Sequence, residues 1–178
     1  MRIFHKIMKK IRIKNIKYYQ LFGRNKYMKH LCKVYSKYGV VFENGKPRYI
    51  SADVEFDNSN KIYIGKNTTI AAKTCILTHD YSVDYGIMHN TELKTKYDGK
   101  EICILKEVHI GDNCFIGQRV IILPGVVIGK NSIVGAGSVV TKNIPENCVY
   151  AGNPAKFICS IQDYSQKIID KEQFFNCS

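Results

Sequence analysis

ILKEVHIGDNCFIGQRVIILPGVVIGKNSIVGAGSVV, residues 104–140, places an aliphatic residue at every sixth position: Ile104, Ile110, Ile116, Ile122, Ile128, Val134 and Val140. The same step runs upstream through Ile64, Ile70 and Ile76. All ten positions are β-branched aliphatics. Four residues after each stand Thr68, Thr74, Asp80, Val108, Cys114, Val120, Val126, Ser132, Ser138 and Ile144, most of them small or β-branched. Glycine follows the aliphatic at Gly65, Gly111, Gly117, Gly129 and Gly135.

A period of six is neither the 3.6 of a helix nor the 2 of a plain strand. It suits a chain that makes a short strand, turns a corner and repeats. Three hexads close one triangular coil, with the aliphatic pointing inward on each face and the small residue pointing inward near each corner. Glycine and asparagine (Asn67, Asn113, Asn131) serve the corners, where a positive φ costs them little. Coils of this kind stack as parallel strands about 4.8 Å apart. The repeat therefore predicts an all-β fold, a parallel β-helix.

The rest of the chain is arranged around that core. Of 178 residues, 1–48 hold 14 of the 27 Lys+Arg and a single acid, Glu43; residues 49–178 are nearly neutral. This predicts a basic N-terminal arm over 1–48, a β-helix over 49–158 and a C-terminal helix and tail over 159–178. In the arm, Phe4, Ile7, Met8, Ile11, Asn15, Tyr18 and Phe22 fall at helical spacing between lysines. That stripe fits a cap on the first coil, a contact with an anionic membrane surface, or a hold on an acidic acceptor. No apolar run follows the charged start, so it does not read as a secretory signal. The seven cysteines are scattered without a CxxC pair, which reads as reduced thiols in a cytoplasmic protein and no zinc site. The arm confines the charge and no nucleic-acid-binding motif is present, so nucleic acid is not an expected partner.

The motifs IGDNCFIG, ILPGVVIGKNSIVGAGSVVTKNIP and YAGNPAK, within Ile104–Lys156, resemble the hexapeptide-repeat acyltransferases. Among these they are most similar to the sugar and polysaccharide O-acetyltransferases of the galactoside and maltose type. The resemblance covers about residues 50–158. It implies a left-handed β-helix and a homotrimer, with acetyl-CoA as acyl donor, a sugar or polysaccharide precursor as acceptor, and no metal. The hand is implied by the resemblance alone, because crossovers between parallel strands are otherwise almost always right-handed.

The hexads lapse after Ile76. The next falls due at residue 82, so residues 82–103 read as an inserted polar loop, preceded by Thr78-His79-Asp80. The resemblance implies that His79 is the general base. Transfer to an alcohol needs a proton acceptor that works near neutral pH, which imidazole supplies. Asp80 and Asp84 are the nearby carboxylates for orienting it, with a backbone carbonyl as the alternative. By the same resemblance, Phe115, Gln118, Ala136, Thr141, Lys142 and Lys156 line the cofactor groove. Phe115 stands where the galactoside enzyme has tryptophan, and Gln118 where it has serine. Other readings are an N-acetyltransferase on an amino sugar, a non-catalytic β-helix scaffold, and a metal-dependent hydratase. The hydratase needs histidines where this chain has Gln118 and Leu123.

Overall fold

The computed structural model describes residues 15–57, 60–97 and 100–171. Its body is a parallel β-helix with three faces. Four coils supply one strand to each face in turn. The first coil is β1 (Val40–Phe42), β2 (Tyr49–Ile50) and β3 (Glu55–Phe56); the second is β4 (Ile62–Ile64), β5 (Thr69–Ile70) and β6 (Cys75–Ile76). The insertion follows: β7 (His79–Asp80), α2 (Ser82–Met88), α3 (Thr91–Tyr97) and β8 (Ile104–Leu105). The third coil is β9 (Val108–Ile110), β10 (Phe115–Ile116) and β11 (Ile121–Ile122); the fourth is β12 (Val127–Ile128), β13 (Ile133–Val134) and β14 (Val139–Val140). On the second face β15 (Cys148–Ala151) continues in parallel and β16 (Lys156–Ser160) turns back antiparallel. The helix α4 (Ile161–Lys171) follows, while α1 (Arg24–Tyr35) precedes the first coil.

The hexad aliphatics fill the interior. Ile50, Ile70, Ile116 and Val134 are fully buried on the second face; Ile76, Ile122 and Val140 are buried on the third. The smaller residues of the pattern are buried too, and their hydroxyls satisfy carbonyls that the corners would otherwise leave unpaired. Thr68 Oγ1 donates to the Gly111 carbonyl at 2.8 Å, Thr74 Oγ1 to Gly117 at 3.0 Å and Ser132 Oγ to Pro145 at 2.9 Å.

Several expectations are corrected. Ile104 keeps the sixfold step but not the interior. It is 36% exposed, and β8 pairs antiparallel with β7 instead of joining a coil. The insertion accordingly runs from the end of β6 to the start of β9, wider than 82–103, and it carries two helices. The arm does not end at residue 48, since Val40–Phe42 already forms the first strand of the stack. Its Arg24–Tyr35 helix packs Tyr27, Met28, Leu31, Val34 and Tyr35 into the core. The part of the helical stripe from Phe4 to Ile11 lies outside the described residues. Lys17–Phe22 is a 3-10 helix, whose three residues per turn rotate the faces away from the 3.6 spacing. Ile16 is consequently buried, while Tyr18 and Phe22 are exposed.

Asparagine does serve a corner with positive φ, at Asn67, Asn113, Asn131 and Asn147, with φ of 55–60°. Their side chains form a ladder up the stack: Asn67 Nδ2 donates to Asn113 Oδ1 (3.0 Å), Asn113 to Asn131 (3.1 Å) and Asn131 to Asn147 (2.9 Å). The glycines after the hexad aliphatics act differently from the turn role expected of them. At Gly117 the reason is close approach of two coils. A Cβ there would lie 2.5 Å from the Ala136 nitrogen and 2.8 Å from the Val134 oxygen, both backbone atoms. Gly117→Ala is therefore expected to destabilise the fold by about 1–3 kcal/mol. Urea unfolding would check this, with Gly86→Ala, which meets nothing within 4 Å, as the neutral control.

Candidate active site

His79 leaves the stack at the third corner, just past Ile76. It is held there by the coil beneath. Register between β3 and β6 sets Phe56 opposite Ile76, and the Asp57 N–H donates to the Ile76 carbonyl at 2.9 Å. The Asp57 carboxylate thus comes under Thr78 and His79. Its Oδ2 accepts from the Thr78 backbone N–H (2.7 Å), from Thr78 Oγ1 (2.8 Å) and from His79 Nδ1 (2.5 Å). Thr78 Oγ1 in turn accepts the Asn60 N–H at 3.0 Å. A carboxylate only accepts, so Nδ1 carries the proton and Nε2 the basic lone pair. Side-chain exposure is 33% for His79 and 12% for Asp57, so the imidazole reaches solvent while its anchor is sheltered.

Neither carboxylate named from the sequence fills this role. Asp80 follows His79 directly in β7, and successive strand residues face opposite sides. Its Oδ1 accepts the Ser82 N–H at 2.8 Å. Hydrogen bonds from the Ser82 side chain and backbone hold its carboxyl below the usual carboxylate range. Asp84 lies in the first turn of α2, and its N–H bonds the Tyr81 carbonyl. Asp57 was missed because the step from Phe56 to Ile64 is eight residues. That break hides the hexad pair Ile50 and Phe56, and with it the coil that carries the aspartate. Asp57→Asn is expected to lower kcat about tenfold to hundredfold with acceptor KM little changed. Steady-state kinetics would check it, with circular dichroism confirming the fold.

The predicted cofactor residues fall at several places. Gln118 and Ala136 are exposed at the second corner, one coil apart, where the Gly137 N–H bonds the Gln118 carbonyl at 2.8 Å. Thr141 and Lys142 are exposed at the third corner, after β14, the same corner at which His79 leaves lower in the stack. Lys156 begins β16, opposite Ala151. Phe115, 47% exposed on the second face, lines a cleft of about 730 Å³ with Gln20, Arg24, Arg48, Tyr49 and Thr69. One chain does not bring these residues together. His89 stands just beyond α2, and His109 stacks on Tyr63 with ring centroids 4.3 Å apart.

The profile of the hexapeptide repeat of succinyl-transferase matches residues 107–142. Protein CapG of Staphylococcus aureus is 42% identical over 129 residues, covering 71% of this chain and 70% of that protein. The chain belongs to the hexapeptide-repeat acetyltransferases. The galactoside O-acetyltransferase of Escherichia coli (strain K12) is 34% identical over 142 residues, covering 80% of this chain and 63% of that enzyme. A solved galactoside acetyltransferase in complex with coenzyme A superposes with a TM-score of 0.56 at 26% identity, covering 96% of this chain and 86% of that one. The β-helix is the left-handed coil of this family, as the resemblance implied. The chain spans roughly two thirds of the length of these two curated relatives, 70% and 63%.

Proposed function

We propose that the protein transfers an acetyl group from acetyl-CoA to a hydroxyl of a sugar or polysaccharide precursor. The observation that carries this reading is the Asp57–His79 pair at the corner where the insertion leaves the stack. His79 takes the acceptor's proton on Nε2 as the hydroxyl attacks, and returns it to the departing thiolate. Asp57 keeps the imidazole in that tautomer and balances the charge it acquires. Acetyl-CoA supplies the activated acyl group. The residues fit it: Lys142 is an exposed cation for its phosphates, and the second corner at Ala136-Gly137 is bare enough for an extended arm to lie against backbone. The solved relative's coenzyme A and the curated relative's galactoside acceptor support both halves of the reading.

The groove needs both the second and third corners, which face apart on one chain. A homotrimer, with a neighbour's second corner meeting this chain's third, is part of the same proposal; light scattering would then give three times the 20.4 kDa chain mass. So are a cytoplasmic location and contact with the inner membrane face. Tyr18, Leu21 and Phe22 are exposed beside Lys17, and residues 1–42 contain no acid. No described helix is long and apolar enough to cross a membrane.

Acetyl-CoA titration tests the reading. A ligand of the folded state at 100 times its Kd stabilises by about 2.7 kcal/mol, so Tm should rise by about 5–11 °C at that concentration while the heat of binding saturates. An unmoved Tm together with no heat of binding would overturn it.

A further inference from the structure

We propose that the cleft on the second face binds a sugar bearing an oxyanion, so that the acceptor is an acidic or phosphorylated sugar. The assignment of the cleft's occupant as an acceptor rests on the acetyltransferase reading; the binding of an anionic sugar does not.

The cleft of about 730 Å³ lies between α1 and the outer side of the second face. Two guanidinium groups, Arg24 and Arg48, line it, and no acid does. Neither arginine forms an ion pair among the described residues. Arg24 is held in place from below. Its Nη2 donates to the Arg48 carbonyl at 3.0 Å, and its guanidinium lies 5.7 Å from the Tyr49 ring centroid. One donor of five is thereby used, and the remaining fork suits a carboxylate or a phosphate. The walls are equally fixed. Tyr27 is buried and its hydroxyl donates to the Ile50 carbonyl at 2.6 Å, while Gln20 Nε2 donates to the Tyr49 hydroxyl at 3.3 Å. Phe115 offers an exposed aromatic face, and Thr69 a hydroxyl, on adjacent strands of the same sheet. An apolar platform beside hydrogen-bonding groups matches a pyranose ring, which has one face of C–H groups and a rim of hydroxyls. A bare phosphate would need only the arginines.

This reading moves Phe115 from the cofactor groove to the acceptor. It also separates the two ends of the acceptor. His79 does not line the cleft, so the cleft holds the charged end, and the reacting hydroxyl reaches the His79 of this chain or of an adjoining copy.

Calorimetric titration of the full chain tests this with four probes: D-glucuronate, D-glucose 1-phosphate, D-glucose and inorganic phosphate. At least one anionic sugar is expected to bind at least tenfold more tightly than glucose and than inorganic phosphate. The carboxylate and phosphate arms decide which oxyanion the cleft prefers. Arg48→Gln is expected to weaken that binding about tenfold or more while leaving acetyl-CoA affinity within twofold. Arg24→Gln provides a second test should Arg48→Gln fold poorly by circular dichroism. Equal binding of glucose and both anionic sugars, no sugar binding, inorganic phosphate binding as tightly as glucose 1-phosphate, or folded arginine variants within twofold of the parent would each overturn the proposal. If anionic sugars bind through the arginines but acetyl-CoA does not bind, the cleft stands and the acetyltransferase reading falls. If a neutral sugar is acetylated and the arginine variants keep full kcat/KM, the cleft proposal falls and the acetyltransferase reading stands.

Discussion

His79→Ala is expected to lower kcat by about a hundredfold to ten-thousandfold, the range over which a positioned general base contributes. The loss should sit in kcat, because the role proposed for His79 is on the proton that moves during attack and not on the cofactor. Acetyl-CoA affinity should stay within about twofold. Stability should also change little, since the side chain is a third exposed and faces outward from a corner. His109→Ala is the contrasting control. That imidazole stacks on Tyr63 on the first face and lies 3.6 Å from Glu107, so its removal should disturb packing more than turnover. A His79→Ala variant that kept a tenth of the parent activity would remove the histidine from the mechanism.

The second large effect concerns the frame. Ile116 is fully buried in the third coil, with Ile70 below and Val134 above at the same register position. Ile116→Ala should cost about 2–5 kcal/mol, the transfer term plus the cavity left between two coils that cannot collapse together. A domain of this kind has about 5–15 kcal/mol in total, so the urea midpoint should fall by a large fraction. Ile104→Ala makes the comparison sharp. It occupies an equivalent step of the sixfold count, yet its side chain stands on the insertion's return strand, and its truncation should cost under about 1 kcal/mol. Similar losses for the two variants would show that periodicity, not burial, had been the better guide.

That contrast marks how far the sequence could be read. Sixfold spacing gives the coil because burial on three faces forces it, and Ile64 to Ile76 and Ile110 to Val140 follow it strictly. It overreaches at Ile104, where an exposed strand residue happens to fall in step. It falls silent before Ile64, where the eight-residue step from Phe56 conceals the first coil. The site was legible in the same measure. His79 stands beside a visible break in the pattern. Asp57 is 22 residues away along the chain and adjacent only once β3 lies under β6. Contacts between coils depend on how many residues each turn consumes, and one irregular turn is enough to hide them. Hydrogen-bond geometry hid the arm's face in a different way, because nothing in the spacing of Tyr18 and Phe22 announces a 3-10 turn.

The asparagine ladder has a consequence for how such a protein can change over generations. Asn67 and Asn113 are 46 positions apart, with the whole insertion between them, yet their amides meet at 3.0 Å. Asn113 and Asn131, 18 positions apart with nothing inserted, meet at 3.1 Å. The frame thus measures height and not chain length. A segment spliced in at a different corner leaves the rungs unchanged, so the loop that follows His79 can be lengthened, shortened or exchanged while the pedestal beneath the histidine stays as it was. Changes in that loop can then accumulate without being tried against the stability of the stack.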